Sequence, residues 1–214
     1  MKRTLSLCLC SAALLGLASG AGARTVNDCH ISSGTLCVEA KLAGADLKKA
    51  NLARANLFAA DLAGANLSGA NLTEARLQDA NLQRAALTGA VLAGADLKRA
   101  ELMQADLEGA DLSNANLEDA QLRGAHLAGA TLTGASMRGA GLAQATLKGA
   151  DLQRANLTAA ELRGADLRDA DLRGTVLRDA NLQGADLTGA RIDSATDFRG
   201  ANFEGCTGCP AAKP

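Results

Sequence analysis

The cysteines are the residues of this 214-residue chain whose type and spacing could most directly do chemistry. Cys206 and Cys209 form a C-x-x-C pair. Redox-active dithiols have that spacing, but they lie at a helix N-terminus in a βαβ setting that lowers the pKa of one thiol. The sequence around this pair offers no such setting, and Pro210 follows it directly. We therefore expect a structural cross-link here, with redox activity and half of a metal site as the alternatives.

A second group of candidate ligands lies near the N-terminus. Cys29, His30 and Cys37 could supply three donors to Zn²⁺, but a fourth ligand and a regular ligand spacing are missing. The other histidine, His126, occupies a repeated position that usually holds Asn or Asp, so we expect it to point outward. Carboxylates also recur with the repeat, and no Ser-His-Asp or Cys-His set can be assembled. We predict no enzyme activity, no metal and no cofactor.

The first residues have the pattern of a secretory signal peptide. Lys2 and Arg3 precede an apolar stretch over residues 5–17, and small residues up to Ala23 form a cleavage site. The apolar stretch is too short for a membrane-spanning helix. We expect a Sec-type signal over residues 1–23, a mature chain starting at Arg24, and a periplasmic or secreted protein without stable membrane insertion after cleavage.

The rest of the chain repeats every five residues. Thirty successive positions hold an apolar residue, which is Leu at all but one of them. This column begins with Leu42, Leu47, Leu52 and Leu57, contains Met137, and ends at Leu187. Ala lies two residues before each of these positions, with Thr175 as the exception. The composition agrees, because a chain with no Trp, no Tyr and three Phe must fill its core with Leu and Ala.

A period of five fits neither regular secondary structure. On a helix, each step of five residues rotates by about 140°, so the leucines would not form one apolar face. On a flat strand, an odd period places successive leucines on opposite faces. The pattern is satisfied if the chain turns a corner every five residues, so that four corners close a square coil of twenty residues. Gly and polar residues then occupy the corners, and coils stack at about 4.8 Å.

Residues 40–194 resemble the pentapeptide-repeat family, whose pattern is A(D/N)LXX, as in Ala45-Asp46-Leu47. The resemblance implies an all-β fold, the right-handed quadrilateral β-helix. Arithmetic on these 155 residues gives nearly eight coils and a rod about 37 Å long.

Both ends of the predicted rod depart from the pattern. Residues 24–39 precede the first clear repeat and are interpreted as an N-terminal cap, and residues 195–214 as a C-terminal cap and tail. Phe198 follows Ile192 by six residues instead of five, and Phe203 comes next. We expect the two phenylalanines to plug the last coil.

Four cysteines remain after residue 23, and four cysteines allow three disulfide connectivities. The two pairs lie at opposite ends of a rod about 37 Å long, whereas bridged Cα atoms lie within about 7 Å of each other. We therefore predict the disulfides Cys29–Cys37 and Cys206–Cys209.

The outward positions carry mixed charges. Four arginines fall in consecutive repeats, so that they would ring one coil: Arg163, Arg168, Arg173 and Arg178. Aspartates lie among them, which favours a solvated belt of ion pairs over a contact site for a partner. Phe58 and Met103 also lie at outward positions, on different faces.

Two functions are compatible with these features. The first is a non-enzymatic exported scaffold that binds a protein partner, with oligomeric state left open. The alternative comes from the resemblance, because some pentapeptide-repeat proteins mimic DNA, bind gyrase or topoisomerase and protect against quinolones. A mimic needs a strong negative field. The net charge is −1 for the whole chain and 20 − 23 = −3 after residue 23, so we favour the scaffold and expect no nucleic-acid partner.

Overall fold

The computed structural model describes residues 24–210, so the predicted signal peptide lies outside the described residues. The chain begins with an antiparallel hairpin of two strands, β1 (Arg24–Val26) and β2 (Cys29–Ile31). Asn27 and Asp28 form its tight turn, both with positive φ. Within residues 24–210, no helix is long and apolar enough to cross a bilayer.

Beyond the hairpin, the chain forms a solenoid held by short parallel bridges. Twenty-eight bridges join residues that are twenty apart, from Leu36–Asn56 to Asp171–Arg191. One turn of the coil therefore takes four pentapeptides. Adjacent coils exchange backbone hydrogen bonds in both directions. The Leu112 N–H donates to the Thr131 carbonyl of the next coil at 2.7 Å, and the Thr131 N–H donates to the Ala110 carbonyl of the preceding coil at 2.9 Å.

The core consists of the repeated Leu and Ala side chains. The leucine column is 0–2% exposed along its whole length, including Leu42 and Leu187, and Met137 fits the same column. The alanines beside it are almost all buried. Thr175 replaces one Ala at a fully buried position, where its hydroxyl donates to the Leu152 carbonyl at 2.7 Å.

The Asn and Asp of the repeat stabilise the turns between faces. Their side-chain oxygen accepts the N–H of the residue two positions on, as Asp61 does from Ala63 at 3.2 Å and Asn116 from Glu118 at 3.1 Å. This contact is the Asx turn, for which these two residue types are preferred. Asn or Asp in this slot therefore supplies the turn with a local hydrogen-bond acceptor.

Each corner ends in a residue with positive φ. Glycine fills many of these corners, such as Gly44, because it adopts this conformation without steric cost. Sixteen other corners in the coil hold non-glycine residues, including Arg54 at φ 58° and Ala159 at φ 57°. The fold therefore carries backbone strain at regular intervals.

The N-terminal hairpin caps the first coil. Cys29 of β2 is disulfide-bonded to Cys37, with their Cα atoms 5.3 Å apart, and both side chains are at most 4% exposed. Cys37 occupies the leucine column five residues before Leu42. The Leu36–Asn56 bridge also lies in the coil register, so the solenoid starts about one repeat earlier than residue 40, where the sequence pattern becomes clear.

Candidate protein-binding surfaces

The C-terminal end of the coil begins with one inserted residue. Past Arg191, the last three bridges join residues that are twenty-one apart, as in Val176–Asp197. The Asp193 carboxylate organises the extra turn, since it accepts the N–H groups of Gly174, Ala195 and Thr196, each at 3.0 Å. These hydrogen bonds lower the pKa of Asp193 and keep it ionised. The bond from the Gly174 N–H has the largest effect.

An open depression of about 610 Å³ lies beside the insertion, lined by apolar residues together with polar ones such as Asp193 and Arg199. Its apolar lining comprises Ile192, Phe198, Ala201, Phe203 and Pro210. The two phenyl rings lie 5.5 Å apart in a tilted arrangement and pack against the core, but neither is fully buried. The phenylalanines therefore cover the last coil without closing it. Ile192, in line with the leucine column, is 44% exposed.

The backbone edge at this end is also open. In the coil below, the N–H groups of Leu177 and Asp179 donate to the carbonyls of Asp197 and Arg199. The equivalent N–H groups of the last coil have no hydrogen-bond partner within the described residues, and they belong to Phe198, Gly200, Phe203 and Gly205. An open edge beside an apolar depression is a site to which an extended segment of another chain can add.

The second disulfide folds the last described residues over this end. Cys206 and Cys209 are bonded with their Cα atoms 5.9 Å apart, and both side chains are only partly buried. Gly208 between them has φ +68°, and a Cβ atom there would lie 2.6 Å from the Thr188 nitrogen and 2.7 Å from the Leu187 carbonyl carbon. Only glycine allows the backbone to close so tightly on the coil below.

Of the four arginines that the sequence places in consecutive repeats, three form ion pairs. Arg168 pairs with Asp166 at 2.6 Å, and Arg173 pairs with Asp171 at 2.6 Å. Arg178 pairs with Asp197. No ion pair of Arg163 occurs within residues 24–210.

Two aspartates of this belt are each held between two arginines. Asp171, which is 2% exposed, lies between Arg173 and Arg191, whose Nη2 is 2.8 Å from its Oδ2. Asp197 lies between Arg178 and Arg199. Hydrogen bonds from Arg173 to Asp171 and from Arg199 to Asp197 are the main reason that the pKa of each carboxyl is lowered. The guanidinium groups are thus largely neutralised by neighbours in the same chain.

The two histidines are far from any ligand set. His30 is exposed in β2, where its Nδ1 lies 3.5 Å from the Thr25 hydroxyl, and His126 is exposed in the Asn/Asp slot of its repeat. Within residues 24–210, no group of three or more His, Cys, Asp or Glu side chains is arranged to hold a metal ion. Cys29 and Cys37 are bonded to each other and so offer no free thiolate.

Sequence reasoning missed two exposed apolar residues near the first coil. Leu36 is 81% exposed and Val38 is 48% exposed. The signal was available, because Leu36 takes the Asn/Asp slot of the repeat that has Cys37 in its leucine slot. Phe58 lies one coil further on at the position of Val38, so it has an apolar neighbour after all, whereas Met103 is on another face.

The chain belongs to the pentapeptide-repeat family. The family model described as pentapeptide repeats matches this chain in eight copies, which together span residues 35–207. HetL, a pentapeptide repeat protein involved in heterocyst differentiation regulation in the cyanobacterium Nostoc sp. strain PCC 7120, is 41% identical. The match covers 81% of this chain and 74% of HetL, with a TM-score of 0.39. The family match supports the fold that the resemblance implies, the right-handed quadrilateral β-helix.

Two other solved structures are similar to this chain. Full-length QnrB1, a plasmid-mediated fluoroquinolone resistance protein, matches at 22% identity over 71% of this chain and 83% of its own, with a TM-score of 0.56. A pentapeptide repeat protein from the thylakoid lumen of Arabidopsis thaliana is 35% identical over 48% of this chain and 68% of its own, with a TM-score of 0.42. Among curated proteins, no significant match was found.

Proposed function

We propose that this chain is an exported, non-enzymatic scaffold whose C-terminal end binds a protein partner outside the cytoplasm. The observation that carries the proposal is the difference between the two ends of the coil. The N-terminal end is closed by a hairpin and a buried disulfide, whereas the C-terminal end offers a partly apolar depression and four N–H groups that have no hydrogen-bond partner within residues 24–210. Pentapeptide-repeat proteins are in general structural or binding modules, which agrees with this role.

The chemistry of this end defines the partner. An extended segment can accept the free N–H groups through its carbonyls, and an apolar side chain of that segment can fill the space beside Ile192 and Phe203. Two features support export. The first is the sequence pattern of a signal peptide with a cleavage site before Arg24. The second is the presence of two disulfides, which persist in oxidising compartments.

A matched pair of substitutions tests this function. Ile192→Asp places a charge at the depression, while Val91→Asp places the same charge at a similarly exposed β-branched residue in the middle of the rod (44% and 38% exposed). Tagged chains would be used to capture and quantify partners from the cell envelope. We expect saturable binding of a partner that is lost in Ile192→Asp and kept in Val91→Asp. Absence of a saturable partner, or equal loss in both variants, would overturn the proposal.

The topoisomerase alternative has weaker support. The likeness to QnrB1 at 22% identity concerns the fold alone. The mature charge of −3 is mild for a DNA mimic, and the arginines of the belt remain on the surface beside their aspartates. Cytoplasmic expression of residues 24–214 tests this alternative directly, because a topoisomerase protector would lower sensitivity to quinolones. We expect no change in sensitivity.

A further inference from the structure

The N-terminal end of the rod exposes a cluster of apolar side chains. Of the five large apolar residues exposed within residues 24–210, three lie here: Leu36, Val38 and Phe58. They share one face, since Leu36 bridges to Asn56 and the Glu39 N–H donates to the Phe58 carbonyl at 2.8 Å. Val38 and Phe58 therefore occupy equivalent positions in adjacent coils, about 4.8 Å apart along the axis. We call these three residues the N-terminal apolar patch.

The same end of the rod has a net positive charge. Residues 24–55, the hairpin and first coil, contain five Lys and Arg against three Asp and Glu, a balance of +2. Residues 56–210 contain fourteen against twenty, a balance of −6. The mild charge of the whole chain thus conceals a modest polarity along the axis, in which the lysines supply most of the excess at the N-terminal end because Arg54 is paired with Glu74 of the next coil at 2.8 Å.

Three lysines of the first coil are available for contact. Lys41, Lys48 and Lys49 are exposed, and within the described residues none of their side chains forms an ion pair. They lie on the faces next to and opposite the N-terminal apolar patch, so the patch and the lysines together surround the end of the rod. This arrangement contrasts with the arginine belt near the C-terminus, where neighbouring aspartates neutralise the cations.

We propose that the N-terminal end of this protein binds the surface of anionic phospholipid bilayers. The lysines would lie among the lipid phosphates, and Leu36, Val38 and Phe58 would enter the boundary between head groups and acyl chains. Exposed apolar side chains at the same end of the rod as lysines that form no ion pair within residues 24–210 match that boundary, although the acidic Glu39 lies beside Val38. This site goes beyond the proposed function and lies at the opposite end from the proposed partner site.

Vesicle sedimentation tests the proposal. The chain from residue 24 onward contains the whole described core and is the unit to use. We expect it to bind vesicles of phosphatidylcholine that contain phosphatidylglycerol, to bind pure phosphatidylcholine vesicles far less, and to be released as ionic strength rises. Replacing Lys41, Lys48 and Lys49 together by Gln should lower the partition coefficient by about 100-fold, since each lysine contributes about five-fold. Leu36→Ser combined with Val38→Ser should lower it by about five-fold or more.

Matched variants in the middle of the rod serve as controls. Arg123, Arg138 and Lys148 replaced together by Gln remove the same charge from exposed side chains that form no ion pair within the described residues, and Val91→Ser removes a similarly exposed apolar side chain. Neither change should lower the partition coefficient by more than about two-fold. Equal binding to neutral and anionic vesicles, no binding to either, or equal loss in the mid-rod variants would overturn the proposal. All substituted residues are at the surface, and a thermal melt of each variant checks that the fold is intact.

Discussion

The strained corners of the coil lead to a prediction in which one substitution has opposite effects at two neighbouring positions of the repeat. Ala159 occupies a corner at φ 57° and its side chain is exposed, whereas Ala143 lies one position earlier in its own repeat, where φ is not positive. A left-handed conformation costs an alanine about 1–2 kcal/mol. Glycine avoids this cost, but its greater freedom in the unfolded chain lowers stability by about 0.5–1 kcal/mol.

The two contributions give the expected magnitudes. Ala159→Gly should raise the free energy of unfolding by about 0.5–1 kcal/mol, because relief of strain exceeds the entropic loss. Ala143→Gly has no strain to relieve and should lower it by about 0.5–1 kcal/mol. The two melting temperatures should therefore move in opposite directions by about 1–3 °C. Circular dichroism melts and urea unfolding of both variants beside the parent chain measure these shifts. Equal destabilisation by both substitutions would refute the assignment of strain to the corners.

Three further predictions concern buried polar groups and the disulfides. Thr175→Val should lower the free energy of unfolding by about 1 kcal/mol, because the hydroxyl bond to Leu152 is lost while the shape is kept. The folded pKa of Asp171 is depressed by Arg173 and Arg191, so its contribution is present above the unfolded pKa of about 4 and is lost as pH falls through the folded pKa. Asp171→Asn should therefore flatten the loss of stability between neutral pH and about pH 3. A dithiol reductant should open the partly buried C-terminal disulfide before the fully buried N-terminal one, as mass spectrometry after alkylation would show.

Each of these predictions has a contradicting outcome. Unchanged stability in Thr175→Val, with Thr175→Ser as the control that keeps the hydroxyl, would show that the buried bond contributes nothing. The same acid unfolding curve in the Asp171→Asn variant as in the parent chain would exclude this carboxylate as a source of the pH dependence. Simultaneous reduction of the two disulfides would show that burial at the N-terminal end does not protect the sulfur atoms.

The central part of the fold could be predicted from the sequence because every level of the pattern agrees. The five-residue period requires a corner in each repeat, and the narrow coil requires Ala beside Leu. Asn or Asp before each Leu supplies the turn with an acceptor, as Asp61 does for Ala63. The same period gives the positions of the non-glycine corners. It does not show that the backbone there is strained, because an arginine such as Arg54 gives no sign in the sequence that its φ is positive.

The ends were harder to predict because there the pattern is carried by unusual residues. Cys37 fills the leucine column of the first repeat, so a search for Leu starts the coil too late. Ile192 fills the same column near the C-terminus yet is exposed, because within the described residues no further coil lies over it. The candidate partner site depends on the residue inserted after Ile192, which breaks the five-residue period. Its open edge belongs to the last coil of the described residues.

The most direct test of an exported, disulfide-capped rod is the intact mass of the natively produced protein, recovered from separated cell fractions and alkylated before and after reduction. We predict a species outside the cytoplasm that begins at Arg24 and exposes its four thiols only after reduction. A full-length cytoplasmic species with free thiols would contradict the account, and it would make topoisomerase binding the function to test next.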